Sequence, residues 1–144
     1  MLALGLAACV QSPLRGTGDL GIVVERESGR VQIVEYSGAT ALEPVSGLGD
    51  LSHASVVFSR DERYAYVFGR DGGLTKGDLL THSISKRVMQ AGNSIGGAIS
   101  DDGRWVAAQN YTPGGVRVFL ADTLELVADI PAAYGPEGNR SKVV

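Results

Sequence analysis

An internal repeat with a period of about forty residues is the feature that most constrains this chain. Residues 59–64 (SRDERY) align with residues 100–105 (SDDGRW) at an offset of 41, and residues 72–74 align with residues 114–116 at an offset of 42. A fainter copy places residues 29–31 against residues 72–74. A repeat of about forty residues that holds four strands is typical of a β-propeller blade.

Short β-rich runs separated by Gly, Asp, Ser and Asn supply the strands and turns of this repeat. No segment shows a helical period. Each copy starts with a small-residue inner strand, where blades converge, and continues through an Asp-containing turn to a strand with an aromatic start. A β-sandwich also has many short strands, but the period favours the propeller. The predicted strands are residues 20–24, 31–34, 54–58, 64–68, 104–108 and 116–119, with a second inner strand at 96–100. Residues 79–88 align with residues 121–130 at the same offset of 42.

These observations predict an all-β fold: a partial β-propeller of about three blades over residues 19–144, truncated at the C-terminus. Residues 138–144 have the pattern of an approach to another inner strand. Propellers close their ring with about four to eight blades, and an open ring leaves exposed sheet edges. We therefore expect the propeller to continue beyond this sequence.

The first nine residues, MLALGLAAC, form an apolar run that ends with small residues before Cys9. This pattern resembles a bacterial lipobox and predicts a lipoprotein signal peptide over residues 1–9, lipidation at Cys9 and a tether over residues 10–18. The expected location is the periplasm, with a membrane anchor through the lipid. No Lys or Arg precedes the run, so we expect its start to be cropped. The alternative is a frayed apolar terminus with a spare thiol.

The net charge and the two histidines limit the classes of function that this chain can have. The formal net charge of −3, with scattered arginines, argues against a nucleic-acid groove. In a propeller, the loops before the inner strands open onto the central channel, and residues 47–53, 90–95 and 134–139 are such loops. His53 is the residue there with the strongest coordination chemistry. The alternative for His53 is a structural polar role. We assign that role to His82, which lies in a turn between outer strands.

Residues 51–53 (LSH) and 57–71 (VFSRDERYAYVFGRD) resemble the haem d1 domain of cytochrome cd1 nitrite reductases. The likeness is closer, over residues 14–144, to the accessory propellers of haem d1 biosynthesis, through residues 16–19, 47–59, 90–97 and 140–144. This resemblance implies an eight-bladed d1-type propeller and non-covalent binding of haem d1 or its tetrapyrrole precursor. It also implies His53 as the axial ligand of the haem iron. The sequence has no CxxCH motif for a c-type haem, which favours the biosynthetic branch.

The resemblance implies one further binding residue, and the positions of the loops add other candidates around the same mouth. Arg70 matches an arginine that contacts haem d1 carboxylates, and guanidinium groups bind carboxylates with two hydrogen bonds. The alternative for Arg70 is an ion pair with Asp71 across the hairpin. Four further candidates are loop residues expected to face the same mouth: Asn93, Ser94, Asn110 and Tyr111. Two basic residues near the next inner loop, Arg140 and Lys142, complete the set.

Three functions remain open at this point. The first is an enzyme of a late haem d1 maturation step, required by cytochrome cd1 nitrite reductase in denitrification, with His53 as its catalytic candidate. The second is a non-catalytic carrier that passes the haem to other haem d1 and nitrite reductase assembly proteins. The third is a propeller used only for protein contacts.

Overall fold

A computed structural model describes residues 16–143 of the chain. The predicted signal peptide, Cys9 and most of the predicted tether lie outside the described residues. A short 3-10 turn, Thr17–Asp19, precedes the first strand, and no helix among residues 16–143 is long and apolar enough to cross a bilayer. The strands in chain order are β1 (Leu20–Glu25), β2 (Arg30–Glu35), β3 (Thr40–Ala41), β4 (Ser55–Phe58), β5 (Tyr64–Phe68), β6 (Gly73–Asp78), β7 (Ser83–Met89), β8 (Asn93–Ile99), β9 (Trp105–Thr112), β10 (Val116–Leu120), β11 (Leu126–Ile130), β12 (Ala133–Tyr134) and β13 (Asn139–Arg140).

These strands form antiparallel meanders in which sequence neighbours pair. Two sheets have four strands each, β4-β5-β6-β7 and β8-β9-β10-β11, and they correspond to the two clear copies of the repeat. A three-stranded sheet, β1-β2-β3, precedes them, and the hairpin β12-β13 follows. The described residues contain no α-helix, so the all-β prediction is confirmed.

The sheets pack on one another through two hydrophobic cores, and β5 contributes to both. Side chains alternate across a strand. Ala65 and Val67 therefore enter the core with the first sheet, while Tyr66 and Phe68 enter the core with the third sheet. Burial on both faces explains why this strand is apolar throughout. The first core also contains Val31, Ile33, Val45, Leu48, Leu51 and Leu79, and the second contains Leu74, Val106, Ala108, Phe119, Ala121 and Leu124.

The predicted preference for small residues on the inner strand has a direct steric cause at Gly97 on β8. A Cβ atom at this position would overlap the carbonyl oxygen of Ala107 and the ring of Phe68. The close approach of two sheets at this point therefore requires glycine.

The Asp-containing turn of the repeat has the same hydrogen bonds in both copies. The Asp61 carboxylate accepts from the Ser59 hydroxyl at 2.6 Å and from the backbone N–H of Arg63 at 3.2 Å. Asp102 accepts from the Ser100 hydroxyl at 2.6 Å and from the backbone N–H two residues on. The serine hydrogen bond is the main cause that lowers the pKa of each carboxyl. Both aspartates therefore cap the Asp-containing turn of the repeat.

Candidate functional site

The candidate site lies at one end of the three sheets, which we call the site end. Because neighbouring strands are antiparallel, β1, β5 and β9 finish at this end, and β4 and β8 begin there. The turn after β1, the segment before β4 and the turn between β5 and β6 therefore lie close together. The opposite end, with the turns 59–63, 79–82, 100–104 and 121–125, is called the far end.

A cleft of about 470 Å³ at the site end is lined by Arg26, His53, Arg70, Ile95 and Tyr111. His53 and Arg70 are exposed, and Nη1 of Arg70 lies 3.4 Å from Nδ1 of His53. The cleft thus combines an accessible imidazole with two guanidinium groups and an aromatic ring. Three of the residues predicted from the sequence, His53, Arg70 and Tyr111, are brought together here.

The electrostatics of the cleft favour an anionic ligand. Among residues 16–143, neither Arg26 nor Arg70 has a carboxylate within ion-pair distance. Asp50 is the acidic residue that interacts with Arg70 and His53. Its pKa is lowered first by hydrogen bonds from Ser52, and then by the charges of Arg70 and His53. Two arginines without ion-pair partners beside one surface are suited to bind carboxylate groups.

The ion pair between Arg70 and Asp71, the alternative weighed for Arg70, does not form. Asp71 accepts instead from Nη2 of Arg87 at 2.6 Å and from the backbone N–H of Gly73 at 3.0 Å. Arg70 projects away from this carboxylate to His53. That alternative was wrong because Arg87, on the outer strand β7, reaches the same carboxylate.

The loop placement predicted for Asn93, Ser94 and Asn110 was also wrong. Asn93 and Ser94 begin β8, and Asn110 lies within β9. Ser94 is fully buried and donates to the Gln109 carbonyl at 2.7 Å. Asn110 is fully buried and exchanges two hydrogen bonds with Gln90, at 2.9 and 3.1 Å.

These three residues do not line the cleft, and Tyr111, also placed in a loop by the sequence, lies on β9 with its side chain at the cleft. The pairing of β8 with β9 extends to Asn93 opposite Thr112, through register shifts near Ser94. The regular strand therefore continues further toward the site end than the sequence pattern indicates. Ligand contact by Asn93, Ser94 and Asn110 stays a prediction.

The two basic residues near the C-terminal end differ in availability. Arg140 donates to the Gly114 carbonyl at 3.2 Å and pairs with Asp129. Lys142 is exposed, and its Nζ lies 5.7 Å from the centroid of the Tyr111 ring. Lys142 thus adds a positive charge next to the cleft, whereas Arg140 is engaged by the protein.

Arg26 and Ile95 are the lining residues that the sequence analysis missed. Arg26 is in the turn after β1, on the neighbouring sheet. The faint repeat that aligns Gly29 with Gly72 contained the signal, since it places the turn of Arg26 against the turn of Arg70. No cluster of His, Cys, Asp and Glu suited to a metal ion occurs among residues 16–143.

Comparison with known proteins defines the class of this fold. Residues 15–144 match the family described as the cytochrome D1 heme domain, and the chain belongs to that family. A solved structure titled "Dihydro-heme d1 dehydrogenase NirN in complex with DHE" is 32% identical and superposes with a TM-score of 0.79, covering 88% of this chain and 27% of that one. The prediction of a partial d1-type propeller is confirmed.

The particular proteins that this chain matches closely are named Protein NirF. The one from Stutzerimonas stutzeri is 66% identical over 142 residues, which is 98% of this chain. The one from Pseudomonas aeruginosa is 64% identical over 140 residues, which is 96% of this chain. The chain spans 36% of the length of each relative.

Proposed function

We propose that this chain is part of a haem d1 biosynthesis protein that binds haem d1 or its tetrapyrrole precursor non-covalently at the site end. The binding serves a late maturation step needed by cytochrome cd1 nitrite reductase in denitrification. One observation carries the proposal: within a chain of the cytochrome D1 heme domain family, an exposed imidazole and two guanidinium groups without ion-pair partners share one cleft.

The lining residues fit a carboxylated macrocycle that contains iron. His53 is exposed, and imidazole is a common axial ligand of haem iron. Arg26 and Arg70 are free of ion pairs among the described residues and suit carboxylate groups on the ring. Ile95 and Tyr111 offer apolar surface for the ring itself. Bound haem d1 would supply the iron centre, and the protein would supply its ligand, orientation and charge balance.

The contact between Arg70 and His53 has a consequence for ligand binding. Guanidinium only donates hydrogen bonds, so a hydrogen bond from Arg70 requires Nδ1 of His53 as its acceptor, which is the neutral tautomer with the ring proton on Nε2. If Nε2 of His53 held the haem iron, the ring proton would be on Nδ1, and Arg70 would lose this acceptor. Arg70 would then be available for a ligand carboxylate.

A carrier role is the second candidate. Of the five residues that line the cleft, only His53 is a natural acid or base near neutral pH. An imidazole bound tightly to iron cannot also transfer protons. This observation supports holding of the haem and its transfer to other assembly proteins.

The cellular setting belongs to the proposal as well. A lipid on Cys9 would anchor the protein to a membrane facing the periplasm, near other haem d1 and nitrite reductase assembly proteins. A single acyl chain binds membranes only marginally, so stable anchoring requires more than one chain. Cell fractionation of the full-length protein and of Cys9→Ser tests this part, with release of the variant from the membrane as the expected result.

The binding proposal is tested by titrating the full-length protein with haem d1 and with its precursor and recording visible spectra. We expect a Soret shift for the wild type and its loss for His53→Ala. His82→Asn is the matched control, because His82 is the other histidine, lies at the far end and has a φ of 52° that asparagine tolerates.

Two outcomes separate the candidate functions. If His53→Ala loses both haem binding and haem d1 production in cells, His53 is a ligand or anchor. Retained binding with lost production favours a catalytic role. An unshifted spectrum for the wild type with both pigments contradicts the proposal and leaves a role in protein contacts.

A further inference from the structure

The segment that carries His53 is connected to the turns that carry both arginines. The backbone N–H of Leu48 donates to the Gly29 carbonyl at 3.2 Å, which joins the segment to the turn of Arg26. The backbone N–H of Arg70 donates to the Asp50 carbonyl at 2.8 Å, which joins it to the turn between β5 and β6. Residues 47–50 thus lie between the two cationic turns.

The side chain of Arg87, which lies outside the cleft, connects the turn of Arg70 to residues 47–50. Arg87 lies on β7 opposite Thr75, and its Nη2 donates to Asp71 Oδ2 at 2.6 Å and to the Leu48 carbonyl at 3.1 Å. A single guanidinium nitrogen therefore contacts both the turn of Arg70 and the segment of His53. Both side chains of the Asp71–Arg87 pair are about three-quarters buried, with 28% and 23% of their surfaces exposed.

Three glycines around the Asp71–Arg87 pair leave the space that its two side chains occupy. Gly49 has a φ of +82°, and a Cβ there would overlap Asp71 Oδ2. A Cβ at Gly73 would overlap Arg87 Nη2, and one at Gly69 would lie 2.7 Å from Asp71 Oδ1. Three glycines from both segments thus leave space for one ion pair. This steric fit is an observation independent of the hydrogen bonds.

We propose that the Asp71–Arg87 pair is a positioning element of the haem site, which sets the separation of His53 from Arg70. The inference rests on the proposed function for its ligand. Neither residue touches the cleft, so each acts through the backbone that carries a cleft residue. The rigid connection keeps the imidazole and the guanidinium at the spacing that the macrocycle and its carboxylate require. Partners that orient a primary ligand in this way typically change affinity by about 10- to 100-fold when removed.

The test uses the full-length protein with Arg87→Gln, Asp71→Asn and the matched control Arg63→Gln. Arg63 pairs with Asp78 at 2.8 Å in the same sheet, but at the far end. We expect Arg87→Gln and Asp71→Asn each to weaken haem d1 binding by about 10- to 100-fold. At saturating haem, both should alter the visible and EPR features that report the axial ligand. Arg63→Gln should leave affinity and spectra unchanged.

Hydrogen exchange without haem provides a second measurement that does not depend on the proposed function. The amides of Leu48 and Arg70 should exchange faster in Arg87→Gln and Asp71→Asn, and far-end amides should be unaffected. If the wild type binds no haem but these amides exchange faster in both variants, the proposed function is wrong, and the pair still holds residues 47–50 against the turn of Arg70.

Three results overturn the positioning role. The first is wild-type affinity and spectra in both variants. The second is unchanged exchange at Leu48 and Arg70. The third is global unfolding of both variants, because the pair would then stabilise the whole fold.

Discussion

The two ends of the same sheets use their charged side chains in different ways. At the far end, Arg63 pairs with Asp78 at 2.8 Å and Lys76 pairs with Asp122 at 3.2 Å. Lys76 is buried, and its Nζ also lies 4.1 Å from the centroid of the Tyr64 ring. These contacts connect strands of one sheet or join two sheets. These two far-end ion pairs therefore stabilise the fold.

The site end keeps two cations free of such pairs. Arg26 and Arg70 have no ion-pair partner among residues 16–143, although Asp71 lies next to Arg70 in sequence. The nearby carboxylate is taken by Arg87, which supports the backbone instead. The comparison teaches that one repeat produces a structural end and a candidate binding end, according to which carboxylates pair with the arginines at each end.

The largest effect is expected from removing both free cations. The variant Arg26→Ala/Arg70→Ala should bind haem d1 at least about 100-fold more weakly, because each charge-assisted hydrogen bond typically contributes about tenfold or more. Stability should change little, since neither side chain has an ion pair to lose. Spectral titration of the full-length variant measures this. Wild-type affinity in the double variant would contradict the assignment of these arginines to ligand carboxylates.

A smaller effect, on stability alone, is expected at the far end from Asp78→Asn. Burial raises the pKa of Asp78, but hydrogen bonds from Arg63, Leu80 and Thr81 outweigh it and leave the pKa below its usual value. Loss of these charge-assisted hydrogen bonds should cost about 1.5–3 kcal/mol of the free energy of unfolding at pH 7. Denaturant unfolding of the full-length protein measures it, with unchanged haem affinity as the control.

The same variant has a defined pH dependence. A lowered folded-state pKa gives stability that is present above the unfolded-state value of about 3.9 and is lost as the pH falls through the folded-state pKa. The destabilisation by Asp78→Asn should therefore shrink below about pH 4. An equal difference from the wild type at pH 7 and in that acidic range would contradict the role of the ionised carboxylate.

A smaller loss of stability is expected from Tyr66→Phe, whose hydroxyl lies near the far end. The Tyr66 hydroxyl is buried, donates to the Ala121 carbonyl at 2.8 Å and has its pKa raised to about 12, chiefly by burial. Its removal leaves a buried carbonyl without this donor and should cost about 1 kcal/mol. Denaturant midpoints of wild type and variant provide the measurement. Unchanged stability would show that water replaces the hydroxyl.

The smallest effect is expected from Arg60→Ala. Arg60 pairs with Asp101 at 2.6 Å, but both side chains are exposed, and exposed ion pairs contribute little. Neither thermal stability nor haem affinity should change measurably. A clear loss of affinity would show that the far end also takes part in binding and would remove the contrast between the ends.

Much of the fold was predictable because its signals are local or periodic. The strand Tyr64–Phe68 agrees with the sequence prediction at both ends, and the Asp-containing turns predicted in both copies of the repeat are present with the same hydrogen bonds. Turn chemistry and strand alternation act within a few residues, so a single sequence contains them. The end of β9 at Thr112 was missed, because its last residues pair with β8 through an irregular register that no local pattern shows.

For this protein, the sequence by itself determined the repeat, the all-β class, the order of strands and turns, and His53, Arg70 and Tyr111 as candidates for one site. Only the tertiary structure decided that Arg26 joins them from a neighbouring sheet, that Ser94 and Asn110 are buried, and that Asp71 pairs with Arg87 rather than Arg70. The physical reason is distance along the chain. Period and turn chemistry depend on near neighbours, whereas the partner of a charged side chain depends on how separate strands and sheets pack.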